Sequence, residues 1–158
     1  MGTTVRELIA LAGGLPEGQR LKAFLPGGAS SRFLTADHVD TPVDFDAMTQ
    51  AGSMLGTGAL IVFAEDRDLY DLASNLVQFF RNESCGKCVP CRIGTHKAAE
   101  LLAGVQSGHQ PPELLGVLSE LGETLRQTSI CGLGQVALEP VLSILEHFPD
   151  EVPGTPGG

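Results

Sequence analysis

Apolar positions along the chain change their period near residue 67. Upstream they come in short, interrupted runs. Val5, Leu8, Ile9 and Leu11 form one helical stripe over residues 3–11, with Thr4 placed to cap it and Gly13-Gly14 to stop it. Residues 20–25 alternate in part and lead into Pro26-Gly27-Gly28, the pattern of a strand entering a tight turn. A second short strand is expected over 31–35, and one or two helical turns over 44–50, ended near Gly52. The unbroken run Ala-Leu-Ile-Val-Phe-Ala within 58–64 predicts a buried strand. Together these elements describe a small α/β arrangement with a mixed sheet.

Downstream the spacing is helical. Leu69, Leu72, Ala73, Leu76, Val77, Phe79 and Phe80 recur through residues 68–81, with Asp66 and Asp68 near the N-terminal end, and the Phe79-Phe80 pair reads as core packing. A polar, glycine-containing loop follows over 82–87. Further helices are expected over 92–105, ended by Ser107-Gly108, and over 112–126, which carries proline in its first turn. The last spans 135–148, where Pro140 forces a later start or a kink. Residues 149–158 hold three prolines and three glycines and are expected to be disordered.

Composition narrows the class. Hydrophobic residues make up 42% of the 158, but aromatics only 5%, and tryptophan is absent, so the core must be built mainly from Leu, Val, Ile and Ala. Twenty glycines and 10 prolines predict many turns. Ten basic residues face 19 acidic ones, a net charge of −9 spread over both halves. Such a surface repels phosphate backbones and anionic lipid headgroups, which disfavours nucleic-acid binding and direct membrane insertion. The longest apolar run, residues 59–64, is far short of the roughly 20 residues that cross a bilayer. The first residues show no basic segment followed by an apolar one, so no secretory leader is expected. A reducing, cytoplasmic compartment follows as the default, where clustered cysteines act as metal ligands or redox groups sooner than as disulfides.

All four cysteines belong to one constellation. Cys85, Cys88 and Cys91 form Cys-x2-Cys-x2-Cys, and Cys131 follows after 39 intervening residues. Three ligands from one short loop suit three corners of a cubane, with a distant loop supplying the fourth, as in bacterial ferredoxins. Structural zinc more often shows two separated pairs. Spacing alone therefore favours a 4Fe-4S cluster and leaves structural zinc and a thiol or disulfide role open. Neighbouring residues suit a cluster. Gly86 lets backbone amides approach the sulfurs, Pro90 fixes the backbone between Cys88 and Cys91, and a helix starting near Arg92 aims its positive end at the site. Lys87 and Arg92 stand ready to offset negative charge, and Gly132 and Gly134 are read as loosening the loop of the fourth ligand. His38, His96, His109 and His147 show no pairing pattern and read as surface histidines. Gly56-Thr-Gly58 precedes a strand and lacks its third glycine, so it fails the dinucleotide fingerprint. No Ser-His-Asp order, HExxH or Walker loop is present, and nothing points to hydrolytic chemistry.

With these residues in view, the chain resembles a known family. Glu83-Ser-Cys-Gly-Lys-Cys-Val-Pro-Cys-Arg92 is similar to the signature of the NADH-binding flavoprotein subunit of NADH:quinone oxidoreductase, respiratory complex I. The related diaphorase subunits of NAD-linked formate dehydrogenases and of bidirectional or bifurcating hydrogenases share it. Ser129-Ile-Cys131-Gly-Leu-Gly134 resembles that family's fourth-ligand loop. Leu25-Pro-Gly-Gly-Ala-Ser30, Asp44-Phe-Asp-Ala-Met48 and Ala51-Gly-Ser-Met-Leu-Gly-Thr-Gly58 resemble its ubiquitin-like β-grasp segment and the strand after it. The likeness extends over residues 3–150.

The resemblance implies an α+β chain with a β-grasp domain over 1–66, a four-helix-bundle iron–sulfur domain over 67–150, and a disordered tail over 151–158. It implies one 4Fe-4S cluster on Cys85, Cys88, Cys91 and Cys131, with Gly132 and Leu133 on the flavin side. In the family, NADH reduces FMN and the cluster carries electrons onward singly. The family's N-terminal NADH and FMN domain has no counterpart in these 158 residues. FMN and NADH are therefore expected on a flavoprotein domain or subunit, with another iron–sulfur subunit as the second partner. The chain is expected to be an electron-transfer component that is not catalytic alone, in the cytoplasm or at the cytoplasmic face of the inner membrane.

Overall fold

The computed structural model describes residues 2–155. The chain divides into two compact units, Met1–Arg67 and Asp68–Gly158. The first opens with α1 (Val5–Leu11), which begins in a capping box. The Glu7 amide donates to Thr4 Oγ1 at 3.2 Å, and Glu7 Oε2 accepts the Thr4 amide at 2.7 Å. Two of the donors that every helix start leaves unpaired are thereby satisfied. Val5 packs with Phe24, Leu34, Val39 and Met48 in the core of this unit. Met48 comes from α2 (Phe45–Gln50), whose N-cap Asp44 accepts the Ala47 amide at 2.8 Å.

Strand β1 (Leu21–Leu25) is the middle of a three-stranded sheet, between β2 (Leu34–Thr35) and β3 (Ile61–Ala64). Phe24 faces Leu34 on one side and Val62 on the other, both in antiparallel register. The sheet is therefore wholly antiparallel, not mixed. β2 and β3 run in the same direction but never pair, because β1 lies between them. The predicted second strand shrinks to two residues because Ser31 is used in the preceding turn. Its hydroxyl accepts the Gly27 amide at 3.2 Å and donates to the Gly28 carbonyl at 2.8 Å. β3 is also not the buried strand its sequence suggests. It is an edge strand, with Ile61 40% exposed and the rest only partly buried: Val62 packs on the core of this unit, and Phe63 on the opposite face meets the Phe33 ring at 5.3 Å.

The second unit is helical, which gives the chain its α+β class. Its long helices are α3 (Leu69–Glu83), α4 (Val89–Gln106), α5 (Val117–Thr128) and α7 (Glu139–His147), with short α6 (Gly132–Val136) inserted before the last. Leu69, Val77, Phe80, Leu102, Leu118, Leu125 and Ile144 are buried. Each contributes roughly 1.5–3 kcal/mol. The single hydrogen bond from Tyr70 to the Leu102 carbonyl, 3.0 Å long, adds about 1 kcal/mol, so aliphatic packing dominates. Phe79, next to Phe80 but turned by one helical step, is 48% exposed and does not join the core. α4 and α5 close on each other at Gly94, where a Cβ would fall on the Leu125 side chain.

Several boundaries differ from the sequence expectation for physical reasons. α4 starts at Val89, not near Arg92, because proline is well tolerated in a first turn, where its missing amide would be unpaired anyway. The helix expected over 112–126 is a 3-10 turn, Pro112–Gly116, followed by α5. The one expected over 135–148 is two helices, α6 and α7, because Pro140 fits only the first turn of a new helix. Residues 151–155 of the expected tail are packed. Val152 is buried, Glu151 accepts the Leu69 amide at 3.2 Å, and the Thr155 hydroxyl donates to the Val152 carbonyl at 2.8 Å. Residues 156–158 lie outside the described residues. No helix among the described residues is long and apolar enough to cross a membrane.

Candidate metal centre

Each cysteine takes its place from a helix end. Cys85 lies in the loop after α3, Cys88 is the N-cap of α4, and Cys91 falls in the first turn of α4. Cys131 is the N-cap of α6. All four thiols are free. Cys85 and Cys131 are exposed, Cys88 is half-buried and Cys91 is buried. Neither cysteine N-cap makes a side-chain capping bond, and Pro90 in the first turn of α4 has no amide hydrogen to be capped.

The long sequence gap is closed at two points. At the first, the nearby backbone amides of Ile130 and, after it, Cys91 hold the Cys88 thiol below the ordinary thiol range. Ile130 immediately precedes Cys131, so the segment of the fourth cysteine comes close to Cys88. At the second, α6 runs against Cys91. A Cβ built on Gly134 would lie 2.9 Å from Cys91 Cβ and 2.5 Å from Ser129 Oγ. Gly134 therefore belongs to a tightly packed helix. It does not loosen a loop, and Gly132, with open space around it, is the first residue of the same helix.

The loop of the first three cysteines is ordered from within. Arg92 Nη1 donates to the Gly86 carbonyl at 2.8 Å, and the Gly86 amide donates to Ser84 Oγ at 3.4 Å. Ser84 Oγ lies 3.3 Å from Cys91 Sγ. Thr95 Oγ1 donates to the Cys91 carbonyl at 2.7 Å. Gly86 is needed for its backbone conformation, φ +75°, more than for space, because a Cβ there would meet only the end of Arg92 at 3.9 Å. Lys87 is exposed in this loop, Arg92 is exposed with its guanidinium turned back onto it, and Leu133 is half-buried on α6. His96 is on the open face of α4, 3.3 Å from Glu100.

The donor set is soft thiolate sulfur, which suits iron–sulfur clusters and zinc alike. Among the described residues no three His, Cys, Asp or Glu side chains are gathered closely enough to hold a single ion. One buried polar atom at the site is unsatisfied: Ser129 Oγ has no hydrogen-bond partner. An additional sulfur-bearing group beside Cys91 fits these residues. Sequence reasoning gave no role to Ser84, Ser129 or Thr95. The signal available for the two serines was their place inside the cysteine motifs, directly before Cys85 and two residues before Cys131.

The helical unit thus carries four free cysteines, one in the loop after α3, two at the start of α4 and one at the start of α6. Residues 71–154 match the family described as the NADH-ubiquinone oxidoreductase-F iron-sulfur binding region, and the chain belongs to that family. It is 40% identical over 151 residues to the F subunit of NADH-quinone oxidoreductase from Mycobacterium bovis, covering 96% of this chain and 34% of that protein. It is 35% identical over 152 residues to the HndC subunit of the NADP-reducing hydrogenase from Solidesulfovibrio fructosivorans, covering 96% and 31%. The fold matches a crystal structure of NAD+-reducing NiFe-hydrogenase in the air-oxidized state with a TM-score of 0.82 and 28% identity, over 95% of this chain and 25% of that one. The chain thus spans about a third of the length of these curated relatives.

Proposed function

We propose that the chain holds one 4Fe-4S cluster on Cys85, Cys88, Cys91 and Cys131 and serves as an electron-transfer module of an NADH-linked oxidoreductase complex. The observation that carries this reading is the packing of α6 on Cys91, where a Cβ on Gly134 would stand 2.9 Å from the Cys91 Cβ, which sets the helix capped by Cys131 against the first three cysteines. When bound, the cluster supplies one-electron transfer at a potential set by its surroundings.

The chain's own residues do the rest. Four thiolates hold the metal, and the amides of Ile130 and Cys91 offset charge on sulfur. Lys87 and Arg92 add positive charge at the rim. Val89, Ile93 and Ile130 are exposed apolar side chains adjoining the cysteines in sequence, a composition suited to a docking face. In this reading Gly132 and Leu133 face the flavin of a flavoprotein domain or subunit, which also carries the NADH and FMN sites. A second iron–sulfur subunit receives the electrons, in the cytoplasm or at the cytoplasmic face of a membrane. The names of the relatives, subunits of NADH- and NADP-linked oxidoreductases, support this placement.

The test is metal and sulfide analysis of anaerobically purified protein. About four iron and four sulfide per chain, with an EPR signal in the reduced state, is the expected result for a cubane. One zinc per chain without sulfide overturns the proposal in favour of a structural zinc module.

A further inference from the structure

Cys91 is the buried cysteine; one hydroxyl meets its sulfur, and a second lies beside the same Gly134 gap. Ser84 Oγ lies 3.3 Å from its sulfur. Because the Gly86 amide already donates to Ser84 Oγ, the Ser84 hydroxyl hydrogen is free for sulfur, and a thiolate has no hydrogen to give back. On the α6 side stands Ser129, 6% exposed, whose Oγ shares with Cys91 Cβ the small space that Gly134 leaves open.

The backbone of Ser129 is fully used. Its amide donates to the Leu125 carbonyl at 3.0 Å and its carbonyl accepts Gln135 Nε2 at 3.1 Å. Only the hydroxyl has no partner. Burying a hydroxyl unpaired costs about 1–3 kcal/mol, so native proteins rarely leave one. Ser74, another buried serine without a partner, sits inside α3, where a hydroxyl can turn to its own helix carbonyl. Ser129 sits past the end of α5 in extended conformation, φ −72° and ψ 139°, and has no such carbonyl.

We propose that Ser129, together with Ser84, is a potential-setting residue: Ser84 donates to the Cys91 sulfur and Ser129 to sulfur of the bound centre beside it. The proposal rests on the cluster reading above. Reduction adds negative charge, which sulfur carries in part, so hydroxyl donors stabilise the reduced form and raise the potential.

The test is an EPR-monitored redox titration of the cluster-loaded chain, with iron and sulfide measured on the same samples. Ser129→Ala is expected to lower the reduced-to-oxidised ratio at fixed ambient potential by several-fold to about tenfold, the latter equal to 59 mV for a one-electron couple. Ser84→Ala shifts it in the same direction, and Ser129→Thr, which keeps the hydroxyl, restores the wild-type value. A fully loaded Ser129→Ala protein with unchanged potential overturns the proposal and leaves the cluster reading intact, even where its melting temperature falls. A wild type without iron and sulfide overturns both. Should Ser129→Ala lose its iron, the Ser84→Ala protein decides, made with serine carrying a magnetic isotope at the hydroxyl oxygen. Electron–nuclear coupling of that oxygen to the reduced cluster is expected, and its absence overturns the assignment of Ser129.

Discussion

Gly134 and Cys91 touch so closely that the glycine has no room for a side chain: a Cβ there would stand 2.9 Å from the Cys91 Cβ. This packing fixes α6, and with it Cys131, against the start of α4.

Gly134→Ala is therefore expected to push α6 away from Cys91. Overpacking of this kind costs about 1–3 kcal/mol. Thermal unfolding and iron content should both fall. Gly132→Ala is the control: it sits at the first position of the same helix with open space around it, and stability is expected to change little.

Cys131→Ala removes the ligand brought in from the distant segment. Iron and sulfide are expected to drop to well below the wild-type content, and the helical unit to lose stability, since metal–thiolate bonds contribute to folding. Retention of full cluster content, measured colorimetrically, would show that Cys131 is not a ligand.

Tyr70 is the chain's single tyrosine, which makes its titration readable without interference from another. Burial, and then the nearby Asp68 carboxylate, push its phenol up to about 12. The neutral form is favoured in the folded unit. The stabilisation is therefore whole below the unfolded value of about 10 and is lost as pH rises through the folded value. Tyrosinate absorbance should appear near pH 12, with loss of helix accompanying it. Tyr70→Phe is expected to cost about 1 kcal/mol at neutral pH and to abolish the absorbance step.

Thr4→Ala breaks the capping box of α1. A loss of about 1 kcal/mol is expected in the first unit, read by denaturant unfolding. Iron content should be unchanged, because the four cysteines all belong to the second unit.

What was legible in the sequence was local. The cap Thr4, the acid Asp68 at the start of α3, the stripe of α3 and the cysteine spacing all express themselves within a few residues, and Thr4 and Asp68 are found where the pattern puts them. What was not legible depends on partners distant in the chain. The run in β3 reads as buried, but the strand lies at the sheet edge beside β1, a place that pairing between distant segments decides. Gly134 reads as loop chemistry until Cys91, more than 40 residues earlier, is laid against it. The start of α4 was read too late because Val89 and Pro90 look like loop residues, whereas a helix whose N-cap is itself Cys88 accommodates both. Ser129 carries no periodicity at all, and only the closed structure reveals a buried hydroxyl without a partner.

The distance between Cys91 and Cys131 also sets an order of events in synthesis. Three thiols are complete once the first turn of α4 exists. The fourth arrives only after α4 has been made and α5 has turned back along it. Translation thus presents an unfinished coordination face first, and completing it demands tertiary folding of the α4–α5 hairpin. On the proposed cluster reading, a nascent chain ending before Cys131 lacks the fourth thiolate and is expected to hold no complete cluster.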